Sequence, residues 1–383
     1  MRTYYIFTLG CQMNIADSQK ITTILDSLGY KSASEYEADL IVINACSVRQ
    51  KAVDRIWGGI KKWQKSDKKI ILTGCVLPAD RKKFAQKGIR FFPIQNLFDL
   101  KKLKKSQDKH SNIPCLAGRQ VQNIGGSINN YFEIKPKFKI KSKHEKDNDI
   151  AYVPIMTGCD NFCSYCAVPL TRGREKSRPI KDVVSDAKRA LKNGSKEILL
   201  LGQNVNSYGI KKLRSSTNYL KNSGKFIKLL KTIDSLPGKF TFNFISSNPD
   251  DMSDGLIKTL AKLKKWPREL HLPLQSGDDT ILRKMNRKYT SNQYLVLVKN
   301  LKSQISNLKI STDIIVGFPA ETKKQYDNTV KFCRKIKFKK AYISQYSPRP
   351  GTAAAKLDDD VPALEKKRRW NKLDKFINHT HNQ

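Results

Sequence analysis

Eight cysteines are the residues of this 383-residue sequence whose spacing points most directly to chemistry. Three stand in one run, Cys159-Asp-Asn-Phe-Cys163-Ser-Tyr-Cys166, a C-x3-C-x2-C pattern directly after Gly158. Three thiolates so close on one loop can grip three corners of a four-iron cube while the fourth iron stays open to a ligand. The competing occupant is zinc. Structural zinc asks for four closing ligands, often as two C-x2-C pairs, and neither a partner pair nor a nearby His follows here. Three more cysteines are dispersed but share a setting. Leu9-Gly10-Cys11, Asn44-Ala45-Cys46 and Thr73-Gly74-Cys75 each place a Cys just past the C-terminal end of a predicted strand. Ligands bind at that edge of an open parallel sheet, so these thiols are expected to converge, again as three ligands with one iron left open. The alternative is three separate core cysteines, each a small buried hydrophobe. Cys115 and Cys333 follow no strand end, and we read both as structural or incidental.

The elements that must position these thiols alternate in type. Residues 1–105 read as βαβ units: strands at Tyr4–Leu9, Asp39–Ala45 and Lys69–Thr73, and helices over Asn14–Leu28, over about Ser47–Lys65 and from near Pro78. That alternation predicts a parallel sheet. Residues 106–148, Lys-rich and carrying Gly125-Gly126-Ser127, read as a linker with a short strand around Tyr131–Ile134. From residue 149 to 383 the alternation resumes on a regular beat. Strands are predicted at Tyr152–Met156, Glu197–Leu201, Thr241–Ser246, Glu269–Leu274, Lys309–Val316 and Ala341–Tyr346, with helices between them and a last helix over Ala363–Ile377. Six βα repeats fit a partial parallel barrel; a doubly wound open sheet is the other arrangement they allow. The fold class is therefore α/β, an N-terminal parallel-sheet domain followed by a partial (βα)6 barrel.

Lys and Arg number 73 against 34 Asp and Glu, a net charge of +39. Such an excess favours polyanions, nucleic acid first. Of the cations 55 are Lys and only 18 are Arg, so the surplus speaks for phosphate attraction more than for base reading. No stretch approaches the ~20 apolar residues of a membrane helix, and the N-terminal apolar run is too short for a secretory signal. A cytoplasmic, reducing location is the expectation, and there metal or catalysis outranks disulfides for the cysteines.

C-x3-C-x2-C with the aromatic Tyr165 before its last Cys resembles the radical S-adenosylmethionine superfamily, whose fold is a six-repeat partial barrel. The resemblance implies a [4Fe–4S] cluster whose open iron chelates S-adenosylmethionine, which one electron splits to a 5′-deoxyadenosyl radical. Gly10-Cys11-Gln12-Met13-Asn14 with Asp17-Ser18, then Asn44-Ala45-Cys46-Ser47-Val48-Arg49 and Gly74-Cys75-Val76, resemble the N-terminal domain of the methylthiotransferases. In those enzymes a second, auxiliary [4Fe–4S] cluster carries the sulfur that is methylated and inserted. Among the branches, Gly202-Gln203-Asn204-Val205-Asn206, Thr171–Pro179 and Ser347–Ala354 look like the one that acts on N6-isopentenyl-adenosine beside the tRNA anticodon. A branch acting on threonylcarbamoyl-adenosine, or a non-catalytic iron–sulfur RNA-binding protein, are the alternatives. The family normally continues into a small C-terminal β domain, the TRAM domain; this sequence ends in a predicted helix, so that domain is expected to be absent.

Two clusters and S-adenosylmethionine are thus the implied cofactors, with Cys11, Cys46, Cys75, Cys159, Cys163 and Cys166 as metal ligands and no protein-borne catalytic base. S-adenosylmethionine needs donors for its carboxylate, polar groups for its ribose and an apolar slot for adenine. The strand ends offer Gln203, Asn204, Ser246, Ser247, Gln275, Ser276 and Asp313, and the resemblance adds Tyr165 and Val316, the latter in the Asp313–Pro319 strand. For Ser246–Asn248 the plainer role is a helix cap, and for most of Asp313–Pro319 an ordinary buried strand. Arg172 and Arg174 are candidates for RNA phosphate, or simply solvated. His271 reads as a satisfied core residue. The implied partners are tRNA through its anticodon loop and an electron donor such as flavodoxin or ferredoxin, the sulfur donor being left open. No membrane association is expected, and the chain is expected to be a monomer.

Overall fold

The computed structural model describes residues 2–48, 50–66, 68–94, 96–97, 149–210 and 224–379. The chain divides into two compact units, Met1–Ile140 and Lys141–Gln383. The linker, its strand at Tyr131–Ile134 and Cys115 lie outside the described residues.

In the first unit, β1 (Thr3–Thr8), α1 (Gln12–Ser27), β2 (Lys31–Ser32), β3 (Leu40–Cys46), α2 (Gln50–Gln64), β4 (Lys69–Cys75), α3 (Pro78–Ala85) and β5 (Arg90–Phe91) follow in order. All neighbouring strands pair in parallel, in the sheet order β2-β1-β3-β4-β5. β3 explains the layering. All seven of its residues are buried, and alternate side chains leave a strand on opposite faces. Ile41, Ile43 and Ala45 pack with Val53, Ile56, Ile60 and Trp63 of α2. Leu40 and Val42 pack with Ile21, Ile24 and Leu25 of α1. The central strand is thus apolar throughout because both its faces carry helices.

Among the described residues the second unit has six parallel strands: β6 (Ile150–Pro154), β9 (Glu197–Leu201), β10 (Thr241–Phe244), β11 (Glu269–His271), β12 (Lys309–Val316) and β13 (Lys340–Gln345). Between β6 and β9 lies a two-residue antiparallel pair, β7 (Met156–Thr157) with β8 (Lys176–Ser177), which the sequence pattern did not announce. The helices are α4 (Val168–Arg172), α5 (Ile180–Lys192), α6 (Gly224–Asp234), α7 (Asp254–Lys262), α8 (Asp279–Lys284), α9 (Ser291–Gln304), α10 (Lys323–Ile336) and α11 (Ala363–Asp374). Thr290 and Thr322 start α9 and α10 with reciprocal caps to Gln293 and Gln325.

The strands form two three-stranded ladders, β10-β9-β6 and β11-β12-β13. β10 and β11 are both shorter than their apolar runs suggest. β10 stops at Phe244, and Ser246 beyond it has a φ of 68°. β11 stops at His271: the Leu272 N–H still donates to the Ser311 carbonyl (2.8 Å), but the next N–H on that side, that of Leu274, goes to Thr312 Oγ1 (2.8 Å); pairing with β12 resumes only as a bridge between Gln275 and Ile314.

A buried ion pair ties the start of this unit together. Arg178 donates to Asp186 Oδ2 at 2.9 Å and to the Pro154 carbonyl at 2.7 Å, with both side chains under 8% exposed. Asp186→Ala would strand the guanidinium in the interior, and we expect it to lower the unfolding free energy by ~3–5 kcal/mol, measurable by urea titration.

Candidate functional site

In the first unit the parallel register brings cysteines together. Cys46 and Cys75 end adjacent strands and are register partners, so their backbones are one strand spacing apart, ~4.8 Å. Both are buried, while Cys11, at the N-terminus of α1, is exposed. Just before Cys11 the chain passes close to this edge at Gly10: its φ is 141°, and a Cβ there would lie 2.9 Å from Cys46 Cβ and 2.3 Å from Asn14 Oδ1. A buried amide lattice fixes the edge. Asn14 Nδ2 donates to Asn44 Oδ1 (3.1 Å) and to the Ala45 carbonyl (3.0 Å), and Asn44 Nδ2 donates to Ser18 Oγ (2.8 Å). The backbone N–H of Ser47 donates to the Cys75 carbonyl at 2.7 Å. Gln19 Oε1, Ser47 Oγ and Thr73 Oγ1 are buried here without a hydrogen-bond partner among the described residues.

In the second unit Cys159, Cys163 and Cys166 occupy a loop between β7 and α4. Gly158, with a φ of 78°, turns the chain into it, and a Cβ there would sit 2.1 Å from the Arg174 carbonyl oxygen. The loop is fastened at both sides. Asp160 accepts from Arg174 Nε (2.7 Å) and Nη2 (3.2 Å) and from the Glu175 N–H (3.0 Å). Across from it, residues 284–289 clamp the loop. Ser164 N donates to the Met285 carbonyl (3.0 Å), Ser164 Oγ to the Lys284 carbonyl (2.7 Å), Asn286 Nδ2 to the Phe162 carbonyl (2.8 Å) and Arg287 Nη1 to Cys163 Sγ (3.3 Å). Burial, reinforced by neighbouring Cys163, pushes the Cys166 thiol up to about 12. Tyr165 packs with Ile281, Met285, Ile315, Phe318, Tyr346 and Ala354.

The proposed cofactor residues cluster at the strand ends. Gln203 and Asn204 follow β9, Ser246 follows β10, Gln275 follows β11, and Asp313 and Val316 lie on β12. Gln203 Oε1, Asn204 Oδ1, Ser247 Oγ and Gln275 Oε1 are buried with no hydrogen-bond partner among the described residues. Leaving such groups dry and unmatched costs ~1–3 kcal/mol each, so this wall suits a polar ligand. Asp313 already holds His271, with Oδ2 3.3 Å from Nε2, and Ser311 Oγ lies 3.2 Å from Nδ1. His271 is therefore satisfied, as its place on a strand suggests. Val316 is buried. Arg172 is half-buried on α4, and Arg174 is exposed but bound to Asp160 and placed over the Phe162 ring. Cys333 is buried on α10, which keeps its thiol protonated.

Among the described residues no three His, Cys, Asp or Glu side chains are gathered tightly enough for a single metal ion. Mononuclear zinc needs every sulfur ~2.3 Å from one centre; three thiolates on a four-iron cube go to separate corners. Cys46 and Cys75 are register partners, and Cys159, Cys163 and Cys166 share one clamped loop; thiols so placed have the donor chemistry of a four-iron cube.

Reading the sequence did not single out Arg287, Tyr289 or Asp251, and gave Asn248 only as part of a helix cap. The signal available was an Arg-x-Tyr pair (Arg287, Tyr289) just after a short helix, a pattern too common to stand out.

A profile of the radical SAM superfamily matches residues 153–333, and one described as uncharacterized protein family UPF0004 matches residues 3–91. The superfamily fold recurs in solved structures. The cobalamin-dependent S-adenosylmethionine radical enzyme OxsB aligns with a TM-score of 0.61 at 13% identity, covering 97% of this chain and 56% of that one. The radical S-adenosylmethionine methyltransferase TsrM from Kitasatospora setae aligns at 0.63 and 13% identity, covering 93% and 74%. At the level of sequence, the tRNA-2-methylthio-N(6)-dimethylallyladenosine synthase of Clostridium novyi is 38% identical, over 98% of this chain and 81% of its own length. That of Caldicellulosiruptor saccharolyticus is also 38% identical, over 98% and 78%. The chain belongs to the radical S-adenosylmethionine tRNA methylthiotransferase family. It is an enzyme, and its cofactors are S-adenosylmethionine and [4Fe–4S] clusters.

Proposed function

We propose that the chain places a methylthio group on C2 of N6-isopentenyl-adenosine beside the anticodon of tRNA, in the cytoplasm. The observation that carries this reading is the 38% identity to synthases of that product over 98% of the chain. Cys159, Cys163 and Cys166 would hold the cluster that binds S-adenosylmethionine, and Cys11, Cys46 and Cys75 the auxiliary cluster. When bound, these groups supply the radical, the methyl group and the sulfur that an unactivated C–H carbon requires. The protein's own residues bind and orient. Gln203 Oε1, Asn204 Oδ1 and Gln275 Oε1, each in need of a donor, would accept from the amino and ribose hydroxyl groups of S-adenosylmethionine. Ser246, Asp313 and Val316 would line the same wall, and Tyr165 would support the loop from its apolar side. Arg172 and Arg174 would meet phosphate of an anticodon loop whose adenosine is extruded to reach the site. A one-electron carrier of flavodoxin or ferredoxin type is the expected reductant, and the working unit is a monomer. No helix among the described residues is long and apolar enough to cross a membrane.

Mass spectrometry of nucleosides from tRNA incubated with the protein tests the reading. The expected product is 2-methylthio-N6-isopentenyl-adenosine; a methylthiolated threonylcarbamoyl-adenosine, or no product from fully loaded protein, overturns it. Binding should follow phosphate charge. With 55 Lys and 18 Arg, we expect weak association with tRNA that falls by ~10³ between ~50 and ~200 mM salt if about six phosphates are contacted. At low salt, tRNA with and without the isopentenyl group should bind alike, whereas turnover should require it. A filter-binding titration beside the nucleoside assay reads both.

A further inference from the structure

Arg287 lies on none of the strands or helices and belongs to none of the cysteine motifs, yet it touches a cysteine. Nη1 donates to Cys163 Sγ at 3.3 Å. The other donors fix the guanidinium in place: Nε donates to Tyr289 Oη at 3.0 Å and Nη2 to Asn248 Oδ1 at 2.9 Å. Both anchors are themselves held. Tyr289 Oη lies 3.0 Å from the Pro273 carbonyl and 2.9 Å from that of Leu274. Asn248 is tied to Asn206 through its backbone N–H, and to Asp251 Oδ2 through Nδ2. Asp251 Oδ2 also accepts from Asn204 Nδ2 at 2.7 Å, so one unbroken hydrogen-bonded path runs from the β9 strand end to the Cys163 sulfur. Among the described residues no carboxylate forms an ion pair with Arg287. A guanidinium stays charged at any pH the protein experiences, and here its nearest candidate counter-charge is the cysteine loop.

We propose that Arg287 is a positioning residue for the cluster of Cys159, Cys163 and Cys166, and that its fixed charge sets how readily that cluster accepts an electron. This rests on the reading that those cysteines hold a cluster. Cluster potentials respond to net charge and to hydrogen bonds at the sulfurs, and Arg287 supplies both at one ligand. In the step affected, an external reductant gives up one electron and the cluster passes from its 2+ to its 1+ state. Every iron–sulfur bond is kept and no proton moves. A cation beside the ligand sulfur favours the more negative, reduced form, so removing it makes reduction harder.

The test uses the full chain with Cys11, Cys46 and Cys75 replaced by Ala, reconstituted anaerobically so that one cluster remains. Arg287→Lys and Arg287→Gln are compared with the parent by redox titration with dithionite, following the paramagnetic resonance of the reduced cluster. With about four irons per chain, the Gln variant should be at least tenfold less reduced at a fixed potential, a shift of ~59 mV for one electron, and the Lys variant should lie between. If the Gln variant fails to load iron while the Lys variant loads it, both with unchanged circular dichroism, the need for charge at Cys163 is supported in another way. An unchanged midpoint in a fully loaded Gln variant, or equal shifts in Lys and Gln, overturns the inference. Absence of iron from the parent overturns the underlying reading instead.

Discussion

Replacing Cys159, Cys163 and Cys166 together by Ala should remove all reductive cleavage of S-adenosylmethionine and about half of the iron. The parent, reconstituted anaerobically, should carry about eight irons as two cubes, and the variant about four. The physical ground is the loop itself: Gly158 turns the chain where no side chain would fit, and Asp160, Ser164 and Phe162 are pinned on two sides. Three thiols on so short and so constrained a segment have one shared use, and without them no open iron is presented to the strand-end acceptors. Elemental analysis with chromatographic detection of 5′-deoxyadenosine measures both quantities. Zinc in place of iron, or about four irons in the parent, would sink the two-cluster assignment.

The complementary variant, Cys11, Cys46 and Cys75 to Ala, should lose sulfur insertion completely and keep 5′-deoxyadenosine formation near the parent rate. These cysteines sit at the edge of a sheet whose hydrogen-bonded network, Asn14 to Asn44 to Ser18, is closed within the first unit. The acceptors assigned to S-adenosylmethionine follow β9 and β11 in the second. On the proposed assignment, radical generation and sulfur delivery would divide between separate sets of residues. Loss of both activities in protein with a native circular dichroism spectrum would refute that division.

The sequence pattern carried the parallel strands well wherever they were long and apolar. β12 spans Lys309–Val316 as its alternation implies, while β3 and β4 run one and two residues past the expected ends at Ala45 and Thr73, so that Cys46 and Cys75 are their last residues. It carried less where local backbone chemistry decides. Apolar content extends β11 to Leu274, but the Leu274 N–H turns to Thr312 Oγ1 instead of the ladder and Gln275 takes a φ of 72°. The β7–β8 pair has two residues per strand, too few for any period to register. Of the candidate site, the cysteines were legible because thiols at fixed spacing are rare. Gln203, Asn204 and Gln275 were legible only as polar residues at strand ends; their buried, unmatched oxygens are a property of packing. The role of Arg174 could not be read from a basic loop, since its partner Asp160 lies 14 positions earlier. Arg287 is further removed still, 124 positions from Cys163.

That separation orders events during synthesis. Ser164 is clamped by Lys284, 120 positions later in the chain, so at ~5–20 residues per second the loop is exposed for roughly 6–24 s before its partner exists. The first unit's delay is shorter: Cys75 follows Cys11 by 64 positions, roughly 3–13 s at the same rate, and the described sheet that holds them ends at Phe91. A nascent chain thus presents one finished thiol triad and one unfinished triad at the same moment. Metal delivered early would meet a rigid edge at the first and a slack segment, open to oxidation, at the second.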